Sequence, residues 1–165
     1  MALTEHCYSV LLVSASDKLT ASLRDMLPCD RYDPVVVAGD VASARRCLLE
    51  NPFDLLLINT PLPDDFGTHL ALDVCNSSGT GVLLLVRAEH YPDISARVAP
   101  YGILVLSKPT NSTILTQSLT LCCATRDRLR RMEEKAATME EKMEEIRLVN
   151  RAKWILIDEL KMTEK

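Results

Sequence analysis

The stretch Asp54-Leu55-Leu56-Leu57-Ile58-Asn59-Thr60-Pro61-Leu62-Pro63-Asp64-Asp65-Phe66-Gly67 decides the fold. Leu55-Leu56-Leu57-Ile58 is a run of strand length, apolar on both faces, as a strand buried in a parallel sheet requires. The run ends on the polar Asn59, two prolines follow, and Gly67 closes the loop.

Four other runs have the same character: Val10-Leu11-Leu12-Val13, Val35-Val36-Val37, Val82-Leu83-Leu84-Leu85-Val86 and Ile103-Leu104-Val105-Leu106. Segments of helical spacing lie between them, carried by Leu19, Leu23, Met26 and Leu27, by Ala44, Cys47 and Leu48, and by Leu70, Val74 and Cys75. Pro28, Pro34, Asn51-Pro52, Gly79, Gly81, Pro92 and Gly102 punctuate the units, and Asp40 can cap the helix after the second strand. Repeated βα units with short links predict an α/β, flavodoxin-like (βα)5 sheet, parallel, in the order 2-1-3-4-5, with right-handed crossovers. That order puts the functional crevice at the carboxyl ends of strands one and three.

The chain has 165 residues and an apolar fraction of 47%, enough for a globular core and against disorder. No apolar run approaches the length of a membrane span, and the first residues lack the pattern of a secretory signal, so no membrane partner and a cytoplasmic location are expected. Cys7, Cys29, Cys47, Cys75, Cys122 and Cys123 lack zinc-type spacing and read as free, buried thiols in a reducing compartment. His6, His69 and His90 have no ligand spacing and read as surface residues, so no metal and no cofactor are expected.

Charge divides the chain. Residues 1–125 hold 8 Lys and Arg against 13 Asp and Glu, while residues 126–165 hold 11 against 10. The second part suits a solvated helix better than a basic nucleic-acid patch, and no DNA partner is expected. From about Thr110 the chain reads helical, without Gly or Pro. Leu129, Met132, Ala136, Met139, Met143 and Ile146 follow the 3-4 spacing of a coiled-coil seam, and Asn150 takes the next a position. The apolar phase then slips to Val149, Ala152, Leu156 and Leu160, which predicts a long helix followed by a second helical segment. An uncovered stripe of this kind predicts a homodimer through a parallel helix pair; folding back on its own domain and antiparallel pairing are the alternatives.

The ends of the strands carry a family resemblance. Strand one ends Val13-Ser14-Ala15-Ser16-Asp17, strand three is the quoted stretch, strand four ends Val86-Arg87-Ala88, and strand five runs Leu106-Ser107-Lys108-Pro109. Over residues 8–123 this arrangement resembles the receiver domain of two-component response regulators. The family uses a carboxylate after strand three as phosphoacceptor, two acidic residues after strand one for Mg²⁺, a Thr or Ser after strand four, and a Lys on strand five. Carried onto this chain, those positions fall on Asn59, on Ser14 and Ala15, on Val86, and on Lys108; the aromatic switch position falls on Val105. Only Lys108 keeps the family's residue type, so a pseudo-receiver without phosphoryl transfer, and no enzyme, is implied. Asp17 belongs in the first turn of helix one as a partner of its dipole. Lys108 either donates to the Asn59 side chain or a loop carbonyl, or binds an anion in the vacated crevice.

The tail carries a second resemblance. Arg151-Ala152-Lys153-Trp154-Ile155-Leu156, with Thr163-Glu164 after it, is similar to the opening helix of an ANTAR domain, a helical RNA-binding module of transcription antiterminators. The divisions implied are 1–123 for the receiver, 124–148 for a coiled-coil linker, and 149–165 for the first helix of a truncated ANTAR-like domain. Structured leader RNA is the implied partner of the full-length protein, with Arg147, Arg151 and Lys153 as weak contacts in this segment. The chain accordingly reads as part of a longer antitermination regulator or as a naturally shortened one. The reading of a different class is a structural adaptor whose helix pairs with another helix and has no RNA role.

Overall fold

The computed structural model describes residues 6–160, so the part of the tail reading that rests on Lys161, Met162, Thr163, Glu164 and Lys165 lies outside the described residues. Strands β1 (Tyr8–Val13), β2 (Tyr32–Ala38), β3 (Leu55–Asn59), β4 (Gly81–Arg87) and β5 (Leu104–Lys108) form one sheet in the order β2-β1-β3-β4-β5. Every pairing is parallel. Helices α1 (Asp17–Asp25), α2 (Val41–Glu50), α3 (Thr68–Ser77), α4 (Tyr91–Val98) and α5 (Ser112–Leu160) alternate with the strands. This is the flavodoxin-like receiver fold, with a long C-terminal helix.

The period of two along a strand sends neighbouring side chains to opposite faces, and the core splits accordingly. Leu11, Val13, Leu56, Ile58, Leu84 and Val86 pack with residues of α2, α3 and α4. Val10, Leu12, Leu55, Leu57, Leu83 and Leu85 pack with Leu23 of α1 and Leu115 and Leu119 of α5. By compactness the chain divides into one unit through Asp127 and another from Arg128. The sequence divisions at 123/124 and 148/149 both fall inside α5.

The helix starts follow local chemistry. Ser16 caps α1 by accepting from the Leu19 N–H, with Asp17 in the first turn. Asp40 caps α2 by accepting from the Ser43 N–H at 2.6 Å. A second carboxylate, Asp64 from the β3–α3 loop, accepts from the Val41 and Ala42 N–H groups at 2.9 and 3.0 Å. Gly67 precedes α3 at φ 106°, where a Cβ would sit 2.9 Å from the Ile58 side chain; only glycine turns the chain there.

The structure corrects the sequence reading at several points. The tail is one continuous helix rather than two segments, because nothing between Ser112 and Leu160 breaks it; Asn150 costs a helix only a few tenths of a kcal/mol beyond average residues, roughly. β2 is an edge strand, so Val37 is exposed rather than buried, and Pro34 lies within it instead of before it. Pro92 starts α4 rather than merely breaking the chain, since proline suits a first helical turn. All six cysteines are free, but only Cys122 and Cys123 are buried, and Cys29 is exposed. His6, His69 and His90 are all exposed. Among the described residues no helix is long and apolar enough to cross a membrane.

Candidate functional site

β1 and β3 end side by side, Val13 opposite Ile58, and this brings Ser14 and Asn59 together at the crevice. Both are buried, at 5% and 6% exposure, so their polar atoms need partners within the protein. Asn59 Nδ2 donates to Ser14 Oγ at 3.2 Å. Ser14 Oγ also accepts from the Ser16 N–H at 3.2 Å. From the far side of the crevice Lys108 Nζ donates to Asn59 Oδ1 at 2.7 Å and to the Thr60 carbonyl at 2.5 Å. Thr60 is anchored in turn, its hydroxyl and N–H both donating to the Leu85 carbonyl. A directed chain of hydrogen bonds therefore runs from the ammonium through the amide to the serine.

The direction of that chain fixes the amide: its oxygen faces the cation and its nitrogen faces the hydroxyl. Burial, then the nearby Arg87 guanidinium, holds the Lys108 ammonium below its ordinary pKa. Both local alternatives for Lys108 are thus realised at once, since it donates to the Asn59 side chain and to a loop carbonyl.

Ala15, next to Ser14, is exposed and offers no side-chain oxygen. The remaining oxygens are those of a hydroxyl, an amide and backbone carbonyls, all neutral, whereas Mg²⁺ is held through carboxylates. The residues present therefore do not fit that ion. Among the described residues no group of three or more His, Cys, Asp or Glu side chains is placed to hold a metal. Asp54, the acid that opens β3, belongs to the other end of the strand, where it accepts from the Ser9 N–H and faces Arg126.

Val86 is a correction. Its side chain is fully buried in the cluster with Val13 and Ile58, beneath α2, α3 and α4, and does not reach the crevice. The register explains this: Asn59 pairs with Leu85, so the next residue of β4 on that face is Arg87, and Val86 points the opposite way. Arg87 itself pairs in register with Lys108. Sequence reading missed Arg87 through an offset of one residue; the signal was available in the alternation of the β4 run, counted from its pairing with β3. Val105 packs on the same face as Val86.

The tail residues are placed by α5 alone. Leu129, Met132, Met139, Met143 and Ile146 are exposed large apolar side chains, and Ala136 and Asn150 are exposed between them. Arg147, Arg151 and Lys153 are also exposed, and Arg147 lies 3.7 Å from the Glu144 carboxylate one turn earlier.

No family model matches the chain. It aligns at 26% identity over 156 residues with the transcriptional regulatory protein PdtaR of Mycobacterium tuberculosis, covering 94% of this chain and 76% of that protein. Among solved structures it is similar to the signal receiver domain of an HD domain-containing protein from Pseudomonas fluorescens Pf-5, with a TM-score of 0.69 at 22% identity. That alignment covers 79% of this chain and 96% of the other. It is similar also to a CheY-like response regulator receiver domain protein from Methanospirillum hungatei JF-1, with a TM-score of 0.66 at 18% identity over 74% of this chain and 98% of that one. At these identities the likeness to the solved structures is one of fold.

Proposed function

We propose that this chain is the signal-input and dimerisation part of a transcription antitermination regulator, and that it works without phosphorylation. The observation that carries the reading is Asn59. At the position where receivers carry a carboxylate nucleophile stands a neutral amide, already bonded to Lys108 and Ser14. An amide nitrogen or oxygen does not form the acyl phosphate, and the crevice lacks the anionic oxygens that would recruit Mg²⁺. A non-enzymatic regulatory role follows.

The output side rests on two supports: the similarity of Arg151-Ala152-Lys153-Trp154-Ile155-Leu156, with Thr163-Glu164 after it, to an ANTAR opening helix, and the alignment of most of the chain with a transcriptional regulatory protein. Structured leader RNA is the assigned partner of the full-length protein. The seam from Leu129 to Asn150 is assigned to pairing two copies in parallel, which places two RNA-reading modules side by side. The adaptor reading keeps the same seam and drops the RNA.

Incubation of the chain with acetyl phosphate and Mg²⁺, followed by intact-mass measurement, should leave the mass unchanged. A Mg²⁺-dependent gain of one phosphoryl group overturns the phosphorylation-independent reading. In a gel shift with hairpin RNA, binding by these residues should be weak and lost on raising salt, because acidic neighbours offset Arg147, Arg151 and Lys153. A complete lack of binding even at low salt favours the adaptor.

A further inference from the structure

Beside the crevice, on the face covered by α1 and α5, lies a cavity of about 530 Å³. That volume falls within the range of small-molecule sites. Its two ends differ in chemistry. Leu23, Leu85 and Leu115 are buried and form an apolar floor, and Leu19 and Met26, half-buried on and just after α1, form a wall. The other end is set by Arg87 and Lys108, side by side at the ends of β4 and β5. No Asp or Glu is among its described lining residues.

Two cations adjacent in register repel one another, and burial, then Arg87, holds the Lys108 ammonium below its ordinary range. Arg87 lies 4.0 Å from the Glu89 carboxylate, both largely in solvent, which screens the pair heavily. Lys108 spends two of its three N–H groups on Asn59 and Thr60 and keeps the third. Asn111, just before α5, also lines the cavity, and the start of that helix brings the positive end of its dipole to it. An anion here relieves the repulsion and gains charge-assisted hydrogen bonds, while the floor accepts an apolar body.

We infer that this cavity is a ligand site for a small amphipathic anion, a carboxylate or phosphate head on an apolar tail, with the head held by Arg87 and Lys108 and the tail lying over Leu23, Leu85 and Leu115. The site reaches Asn59 through Lys108, so its occupancy acts on the same hydrogen-bonded chain that the crevice contains. It stands apart from the RNA reading, because the cavity is built wholly from residues of the sheet domain.

The test is calorimetric titration of the full chain with decanoate, below its micellar concentration. Acetate serves as the head alone and decanol as the neutral tail. Saturable binding of one decanoate per chain is the expected result, with acetate and decanol each weaker by at least about tenfold. Arg87→Gln, at an exposed site, and Met26→Glu, on the wall, should each weaken decanoate by about tenfold. Absence of saturable binding overturns the proposal, as does equal binding of either partial ligand or indifference of both variants.

Discussion

Lys108 and Asn59, 49 residues apart in sequence, meet at 2.7 Å, with the ammonium donating to the side-chain amide oxygen. Where a carboxylate here would make the contact an ion pair, the amide makes it a cation bonded to a neutral acceptor. The same ammonium bonds the Thr60 carbonyl, and the amide's other end bonds Ser14, so the crevice floor is closed by its own side chains. The ammonium, the amide and the serine hydroxyl thus tie the ends of β5, β3 and β1 to one another.

Restoring the carboxylate alone should not restore phosphoryl transfer. Asn59→Asp places an acid beside Lys108, but Ser14 and Ala15 still supply no anionic oxygen for Mg²⁺. Treated with acetyl phosphate and Mg²⁺, this variant should keep its mass. A phosphorylated Asn59→Asp protein would show that the acidic pair after β1 is dispensable.

Removing the cation should cost stability. Lys108→Met leaves the buried Asn59 oxygen and the Thr60 carbonyl without their donor, a loss of about 1–3 kcal/mol. Urea denaturation should register it as a lower midpoint at unchanged slope. A midpoint equal to that of the unaltered chain would mean that water replaces the ammonium without penalty.

Asp64 reaches from the β3–α3 loop to the start of α2, and the N–H groups of Val41 and then Ala42 hold its carboxyl below its ordinary range. A depressed folded-state pKa contributes stability that is present above the unfolded value of 3.8 and is lost as pH falls through the folded value. Asp64→Ala should therefore melt at a lower temperature near neutrality and converge with the unaltered chain in acid. Identical melting near neutral pH would remove the capping role.

Two buried tyrosines set the alkaline limit. Burial, then the adjacent Cys123 thiol, pushes Tyr32 up from 10.0 to about 12, and burial together with the hydrogen bond to Asp127 raises Tyr8 in the same direction. The folded chain keeps these protons when the unfolded chain loses them. Each contribution is full below about pH 10 and is lost as pH climbs to the folded value, about 12 for Tyr32, at a slope of about 1.4 kcal/mol per pH unit. Lys108, lowered by burial, acts in the opposite sense. Comparison with Tyr32→Phe isolates the tyrosine: the variant should lose stability more gradually, and an unchanged slope counts against the assignment.

The seam of α5 carries the last prediction. Met139 is 64% exposed and Ile146 60%, on a helix whose described residues after Asp127 are almost all in solvent. Covering such a stripe recovers about 25 cal/mol per Å² of apolar surface, and a second copy supplies the same stripe. Sedimentation at tens of micromolar should give a dimer, and Met139→Glu a monomer. A monomeric unaltered chain would remove the parallel-pair model.

The sequence by itself determined the sheet, because strands such as Leu55-Leu56-Leu57-Ile58 are apolar on both faces and the helices between them carry one apolar stripe each; pattern and breakers suffice for that. It also determined that positions 14, 15 and 59 bring no carboxylate to the crevice, since residue identity at Ser14, Ala15 and Asn59 needs no coordinates. Edge effects escaped it: Val37 reads like any core valine until β2 is known to have a neighbour on one side only. The position of Val86 escaped it as well, because a strand's face depends on the register with its neighbour, and one residue of offset reverses inside and outside. Only the tertiary structure set Arg87 beside Lys108 and opened a cavity between α1 and the start of α5, for these groups come from four elements distant in the chain and are joined by pairing, not by proximity in sequence.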